Sequence, residues 1–85
     1  MSTNSLKNKI INIIKKELKE KKIKINDGIN TVKNWDSVGN FNLLLRIEND
    51  LKIKFSTNEF NSLNNFKSIL KNVENKYKKR SWFTF

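Results

Sequence analysis

The chain contains no cysteine, no histidine and no proline, and only two glycines in 85 residues. Without Cys there is no disulfide framework, no thiolate metal site and no Cys nucleophile. Without His the usual general base of hydrolases, the Ser-His-Asp arrangement and the His-based metal sites are excluded. The lack of Pro and scarcity of Gly argue against a many-turned β fold and for helices. No uninterrupted apolar run reaches the roughly 18 residues of a membrane span, and Lys and Asn interrupt the first apolar residues of the N-terminus. A soluble cytoplasmic chain is therefore the expectation. Eighty-five residues bury one modest core, so one domain is expected.

What is present is basic and apolar in turn. The formal charge is +10, with 36% hydrophobic and 11% aromatic residues, enough apolar material for a folded core. The charge is uneven. Residues 1–34 set nine Lys against three acids, residues 35–63 three bases against four acids, and residues 64–85 six bases against one acid. The excess of Lys, Asn and Ile together matches an AT-rich coding sequence and so says little about partners. The Lys of the first third lack interleaved aromatics, and no helix-turn-helix, RRM or zinc pattern appears, which argues against nucleic acid.

Four helical segments are legible. Leu6, Ile10, Ile13, Ile14 and Leu18 recur at three- and four-residue steps and predict a helix from about Thr3 to about Lys21, with cap candidates among residues 2–5. The period is lost from Lys22 to Asn34. There Ile23, Ile25, Ile29 and Val32 are expected to fold a long loop over the core, with a hairpin at Asp27-Gly28 as the rival reading. A second helix is expected after Asp36-Ser37, ending near Leu51. Its broad apolar face is Val38, Phe41, Leu44, Leu45 and Leu51, widened by Leu43 and Ile47. Ile53 and Phe55 then alternate with Lys52 and Lys54 in a short extended connector. Ser56 to Glu59 caps a short third helix anchored by Phe60 and Leu63. Asn65 caps a fourth, whose stripe is Phe66, Ile69, Leu70, Val73 and Tyr77. The expectation is an all-α four-helix bundle (long, long, short, long) with a long loop between the first two helices. The domain spans 1–77, and residues 78–85 form a basic, then aromatic, tail.

Ser37 is the focus. A Ser at a helix entrance is in most cases a cap. If Asp36 caps the helix instead, Ser37 is left with an exposed hydroxyl, beside backbone N–H groups that favour a phosphate. Trp35-Asp36-Ser37-Val38-Gly39 opens this helix. After it come Phe41, Leu43-Leu44-Leu45, Ile47-Glu48, Leu51, Ile53 and Phe55, without a gap into the third helix. In this register the chain resembles the acyl carrier protein family, whose pattern is Asp-Ser-Leu followed by apolar positions in that order. The fourth helix, from Asn64-Asn65-Phe66 to Val73, also falls in place. The resemblance covers nearly the whole chain up to about Tyr77 and is strongest to freestanding carriers of specialised pathways.

The resemblance implies that Ser37 carries 4′-phosphopantetheine, transferred from coenzyme A by a phosphopantetheinyl transferase. The thiol of that arm then holds an acyl or aminoacyl group as a thioester. The chain itself catalyses nothing, binds no metal and works as a monomer with a dedicated acyl or aminoacyl ligase and acyltransferase. Asp36 and Val38 flank the attachment site as recognition elements, and Glu48 and Asp50 supply the remaining acids of the docking helix. Departures matter here. Val38 replaces the usual Leu, and Asn40 and Asn42 stand where fatty-acid carriers often have acids. Arg46, Lys52 and Lys54 further reduce the acidity, so housekeeping fatty-acid enzymes are expected to be poor partners. Phe41, Leu44, Leu45, Leu51, Phe66, Ile69 and Val73 are expected in the core, with a groove sheltering an acyl chain as the lesser reading for some of them, although three successive Leu leave no obvious gap for a long chain. Trp35 is expected to pack the end of the loop onto the bundle, with a contact to the arm as the lesser reading. For Trp82, Phe83 and Phe85 three readings stay open: a frayed terminus, docking on a partner enzyme or membrane surface, and folding back. The rival functions are a small basic helical module contacting nucleic acid or an acidic protein, and a carrier fold that has lost its modification.

Overall fold

The structure, a computed structural model, describes the backbone of residues 3–83 and the side chains of residues 5–78. It is all-α: α1 Thr3–Leu18, α2 Ser37–Leu51, α3 Thr57–Ser62 and α4 Phe66–Phe83. A long loop joins α1 to α2. α1 packs against both α2 and α4. The backbone of α4 continues to Phe83, through most of the segment expected to be a tail. The side chains of Trp82, Phe83 and Phe85, and the cap side chains expected at residues 2–4, lie outside the described residues.

The core is assembled from one stripe per long helix. α1 contributes Leu6, Ile10, Ile14 and Leu18, α2 contributes Leu43, Leu44, Ile47 and Leu51, and α4 contributes Phe66, Ile69, Leu70 and Val73. Trp35, Ile53, Phe55 and Leu63 close it from the connecting segments. Full burial of an aliphatic or aromatic side chain of this size contributes roughly 1.5–3 kcal/mol, so these stripes hold the helices together.

α1 ends at Leu18, three residues before the expected boundary. Lys19 turns left-handed (φ 56°), and the Glu20 N–H reaches back to the Lys15 carbonyl at 3.0 Å. This is the Schellman geometry, and it satisfies one of the carbonyls that every helix end leaves open. Asn34, 16 residues further on, donates to the Leu18 carbonyl at 3.1 Å and completes the cap from the far end of the loop. α2 ends in the same way. Lys52 has φ 57°, and the Ile53 N–H bonds to the Glu48 carbonyl at 3.2 Å.

The loop is a chain of turns pinned to the α3–α4 junction. Asp27 accepts from the Lys24 N–H, and Thr31 Oγ accepts from the Gly28 N–H. There is no hairpin at Asp27-Gly28. Gly28 instead bridges to Asn65: the Ile29 N–H bonds to the Asn64 carbonyl and the Phe66 N–H to the Asp27 carbonyl. The backbones approach so closely that a Cβ on Gly28 would lie 2.6 Å from the Asn65 Cβ. Ile23, Ile29 and Val32 pack on the core as expected, whereas Ile25 is exposed.

The face of α2 departs most from expectation. Val38, Phe41 and Leu45 are 69%, 51% and 42% exposed, while Asn40 is buried. At about 100° per residue, Asn40, Leu43, Leu44, Ile47 and Leu51 form one arc. Val38, Phe41 and Leu45 form a second, roughly a third of a turn away. Only one arc can face α1 and the core, and the one containing Asn40 does so. Phe41 and Leu45 are therefore surface residues, not core.

Candidate functional site

The start of α2 is built by three consecutive residues with different tasks. Asp36 is the N-cap. Its backbone is extended, and its Oδ1 accepts from the Gly39 N–H at 2.7 Å. Gly39 allows this closure, since a Cβ there would stand 2.9 Å from the Asn34 carbonyl oxygen and 3.1 Å from that same Oδ1. Ser37 is the first helical residue. It is exposed, and its hydroxyl makes no hydrogen bond among the described residues. Because Asp36 does the capping, the Ser37 hydroxyl is not occupied by the helix. The N–H groups of Ser37 and Val38 point out of the same helix end without a partner among the described residues, where the helix dipole favours negative charge.

Trp35 anchors this end. Its ring is buried, and its Nε1–H donates to Asn40 Oδ1 at 2.8 Å. Asn40 Nδ2 in turn donates to the Leu63 carbonyl at 2.8 Å, just after α3. One buried amide therefore ties the loop before α2 to the segment after α3. Sequence reasoning placed Asn40 only as a surface position where an acid was missing. It shares a register with Leu43, Leu44 and Ile47, but the second apolar arc of Val38, Phe41 and Leu45 left its burial undecided by sequence.

α3 forms the opposite wall. Ser56 and Glu59 make a reciprocal capping box, with the Glu59 N–H donating to Ser56 Oγ at 3.1 Å and the Ser56 N–H to Glu59 Oε1 at 2.7 Å. Glu59 also accepts from Asn72 Nδ2 at 2.7 Å and from Lys76 Nζ at 3.0 Å on α4. Burial alone would raise its pKa. The bonds from Asn72, the Ser56 N–H and the Lys76 ammonium outweigh that and lower it to about 2. α3 is too short to hold its place by itself, and this clasp fixes it on α4. Phe60 on α3 then meets Phe41 on α2 with ring centroids 5.2 Å apart, and Phe55 edge-on at 5.9 Å.

Between α2 and α3 lies an open groove of about 530 Å³ that begins at Ser37. Phe41, Phe60 and Ile29 supply its apolar wall, and Thr57, Asn61 and Asn64 its polar one. Sequence reasoning missed Thr57, Asn61 and Asn64 because they come from α3 and its far end. Their proximity to Ser37 depends on the packing of α3, not on spacing.

The other expected recognition residues are spread along α2. Glu48 is half-buried, and its Oε2 accepts from the Phe55 N–H at 2.7 Å, so one oxygen is engaged in holding the connector. Asp50 pairs with Arg46 at 3.4 Å, and Arg46 also reaches Glu17 at 3.9 Å. Both pairs are partly exposed and add little stability. They do lower the free negative charge of the face. Val38, Phe41 and Leu45 present an apolar strip beside Ser37. Among the described residues no cluster of three or more metal-ligating side chains occurs, and no helix is long and apolar enough to cross a membrane.

Compared with known proteins, the chain matches no family profile, no curated protein and no solved structure.

Proposed function

We propose that this chain is an acyl carrier protein whose Ser37 accepts a 4′-phosphopantetheine arm from coenzyme A. When attached, the arm supplies the thiol on which acyl or aminoacyl groups ride as thioesters. The observation that carries this reading is the division of labour at the start of α2: Asp36 caps, and Ser37 keeps an exposed, unengaged hydroxyl. The uncommitted N–H groups of Ser37 and Val38 suit a phosphodiester at that position. The groove beside Ser37 leaves open space next to that hydroxyl. In the attachment step the Ser37 Oγ forms a bond to the phosphorus bearing pantetheine. The pyrophosphate bond of coenzyme A breaks, and adenosine 3′,5′-bisphosphate leaves. The hydroxyl proton passes to a base of the transferase; this chain has no His to take it.

The exposed strip of Val38, Phe41 and Leu45 is the surface a transferase or a dedicated ligase would read, with Asp36, Glu48 and Asp50 as its acidic punctuation. Its weak acidity favours partners of a specialised pathway over enzymes whose docking patches are strongly basic. The setting is cytoplasmic, where coenzyme A and its transferases work, and the chain itself is no enzyme.

Incubation with coenzyme A and a broad-range phosphopantetheinyl transferase, read by intact mass, tests the proposal. The wild type should gain one phosphopantetheine and Ser37→Ala nothing. An unchanged wild-type mass with several transferases would overturn it and favour a carrier fold that has lost its modification. A second reading draws on Lys67, Lys71 and Lys78, exposed on α4 without an ion pair among the described residues. A polyanion-binding module would show tight nucleic-acid binding that weakens steeply with salt.

A further inference from the structure

The groove between α2 and α3 carries information about what the site accepts. We infer that it takes a short, uncharged acyl group bearing a hydroxyl or amide, and not a long alkyl chain. The inference rests on the carrier reading for its biological meaning, but the groove's chemistry is independent of it.

Three observations lead there. First, no fully buried apolar side chain lines the groove: Leu43, Leu44, Ile47, Phe66, Ile69 and Val73 have no solvent exposure and none of them forms its wall. A chain entering between the helices would have to part side chains already packed at interior density, and overpacking of such a core is unfavourable. Second, its floor is a polar side chain with both ends of its amide engaged. Asn40 is held at both ends of its amide, by the Trp35 indole and the Leu63 carbonyl at 2.8 Å each. Methylenes laid against an amide gain little, and those laid over Asn61 and Asn64 would strip water from amides without replacing its hydrogen bonds. Third, all eight lining residues are uncharged. No fixed charge answers an ammonium or a carboxylate on the cargo. The exposed side chains of Thr57, Asn61 and Asn64 supply both donors and acceptors to a hydroxyl or amide, while Phe41, Phe60 and Ile29 cover a short carbon skeleton.

The absence of cysteine makes a direct test possible. In Ser37→Cys the introduced thiol is the only one, so pantetheine-like arms can be joined to it by disulfide without any transferase. Three arms are compared: one ending in 3-hydroxybutyramide, one in decanamide and one without an acyl group. The readouts are the side-chain amide signals of Asn61 and Asn64, the methyl signals of Leu44 and Ile69, and Tm. The hydroxyacyl arm should shift the Asn61 and Asn64 signals relative to the acyl-free arm. The decanoyl arm should leave Leu44 and Ile69 unmoved and Tm unchanged. In Ser37→Cys carrying Asn61→Ala and Asn64→Ala, both at exposed positions, the effect of the hydroxyacyl arm on the remaining groove signals should disappear. Movement of the Leu44 and Ile69 methyls with a rise in Tm for the decanoyl arm would overturn the inference. So would indifference of Asn61 and Asn64 to the hydroxyacyl arm. Coupling is chemical, so either result is separable from failure of the wild type to gain phosphopantetheine, which would count against the carrier reading alone.

Discussion

Replacing Glu59 by Gln removes a charge from the clasp that seats α3, and the consequence should depend on pH. The Glu59 carboxylate accepts from the Ser56 N–H and from Asn72 at 2.7 Å, and from Lys76 at 3.0 Å on each oxygen. Burial opposes its ionisation, but these donors hold its pKa at about 2 against an ordinary 4.5. A folded-state pKa below the unfolded one means the native state favours the carboxylate. That stability is complete above about 4.5 and is lost as pH falls towards 2. At about 1.4 kcal/mol per pH unit the full difference would be worth ~3 kcal/mol. The side chain is 24% exposed, so solvent screening reduces this to roughly 2 kcal/mol. Glu59→Gln keeps the shape and one acceptor but leaves the Lys76 ammonium without its partner. It should cost about 1–2 kcal/mol at pH 7, or roughly 5–12 °C in Tm for a domain of this size. Urea unfolding of wild type and Glu59→Gln at pH 7, 4 and 2.5, followed by circular dichroism, measures the gap at each pH. It should be largest at pH 7 and reduced to roughly a quarter of that at pH 2.5. A gap of the same size at all three would refute the electrostatic argument and leave only a shape effect.

Asn40→Leu should destabilise by about 2–4 kcal/mol although it makes the core more apolar, because the Trp35 indole and the Leu63 carbonyl lose their buried partner. Thermal unfolding measures it, and a loss below about 0.5 kcal/mol would contradict the bridging role. Gly28→Ala places a methyl 2.7 Å from the Asn64 carbonyl oxygen, so the loop must lift from the α3–α4 junction. Amide exchange at Ile29 and Phe66 should accelerate, at a cost of roughly 1–3 kcal/mol. Lys52→Gly relieves a left-handed residue at the end of α2 and should raise stability by up to about 1 kcal/mol; a fall in Tm would show that the Lys52 side chain matters more than its backbone.

Where a cap and its helix are neighbours in sequence, the expectation and the structure agree. Asp36 reaches the Gly39 N–H, Ser56 and Glu59 close on each other, and Asn65 accepts from the Ser68 N–H at 2.8 Å. Each is a three-residue interaction, decided by residue type alone. The stripes of α1 and α4 were legible for a related reason: each helix carries one apolar arc, and the other side is Lys and Asn. The end of α1 was not, since nothing in Lys19 announces a left-handed turn, and Asn34 completes that cap from 16 residues away.

By itself, then, the sequence determined four helices, the local caps at Ser56 and Asn65 and the long loop, and it narrowed the cap of α2 to Asp36 or Ser37. All follow from interactions spanning a few residues. Only the tertiary structure decided which of two apolar arcs on α2 faces inward, that Asn40 is buried, and that Thr57, Asn61 and Asn64 stand beside Ser37. Either arc of α2 is apolar enough to be buried, so periodicity could not separate them. The choice rests on one hydrogen-bonded amide between Trp35 and Leu63, whose partner carbonyl lies 23 residues along the chain. It also rests on a clasp from Glu59 to Asn72 and Lys76, 13 and 17 residues away. Contacts of that separation exist only once the chain has folded.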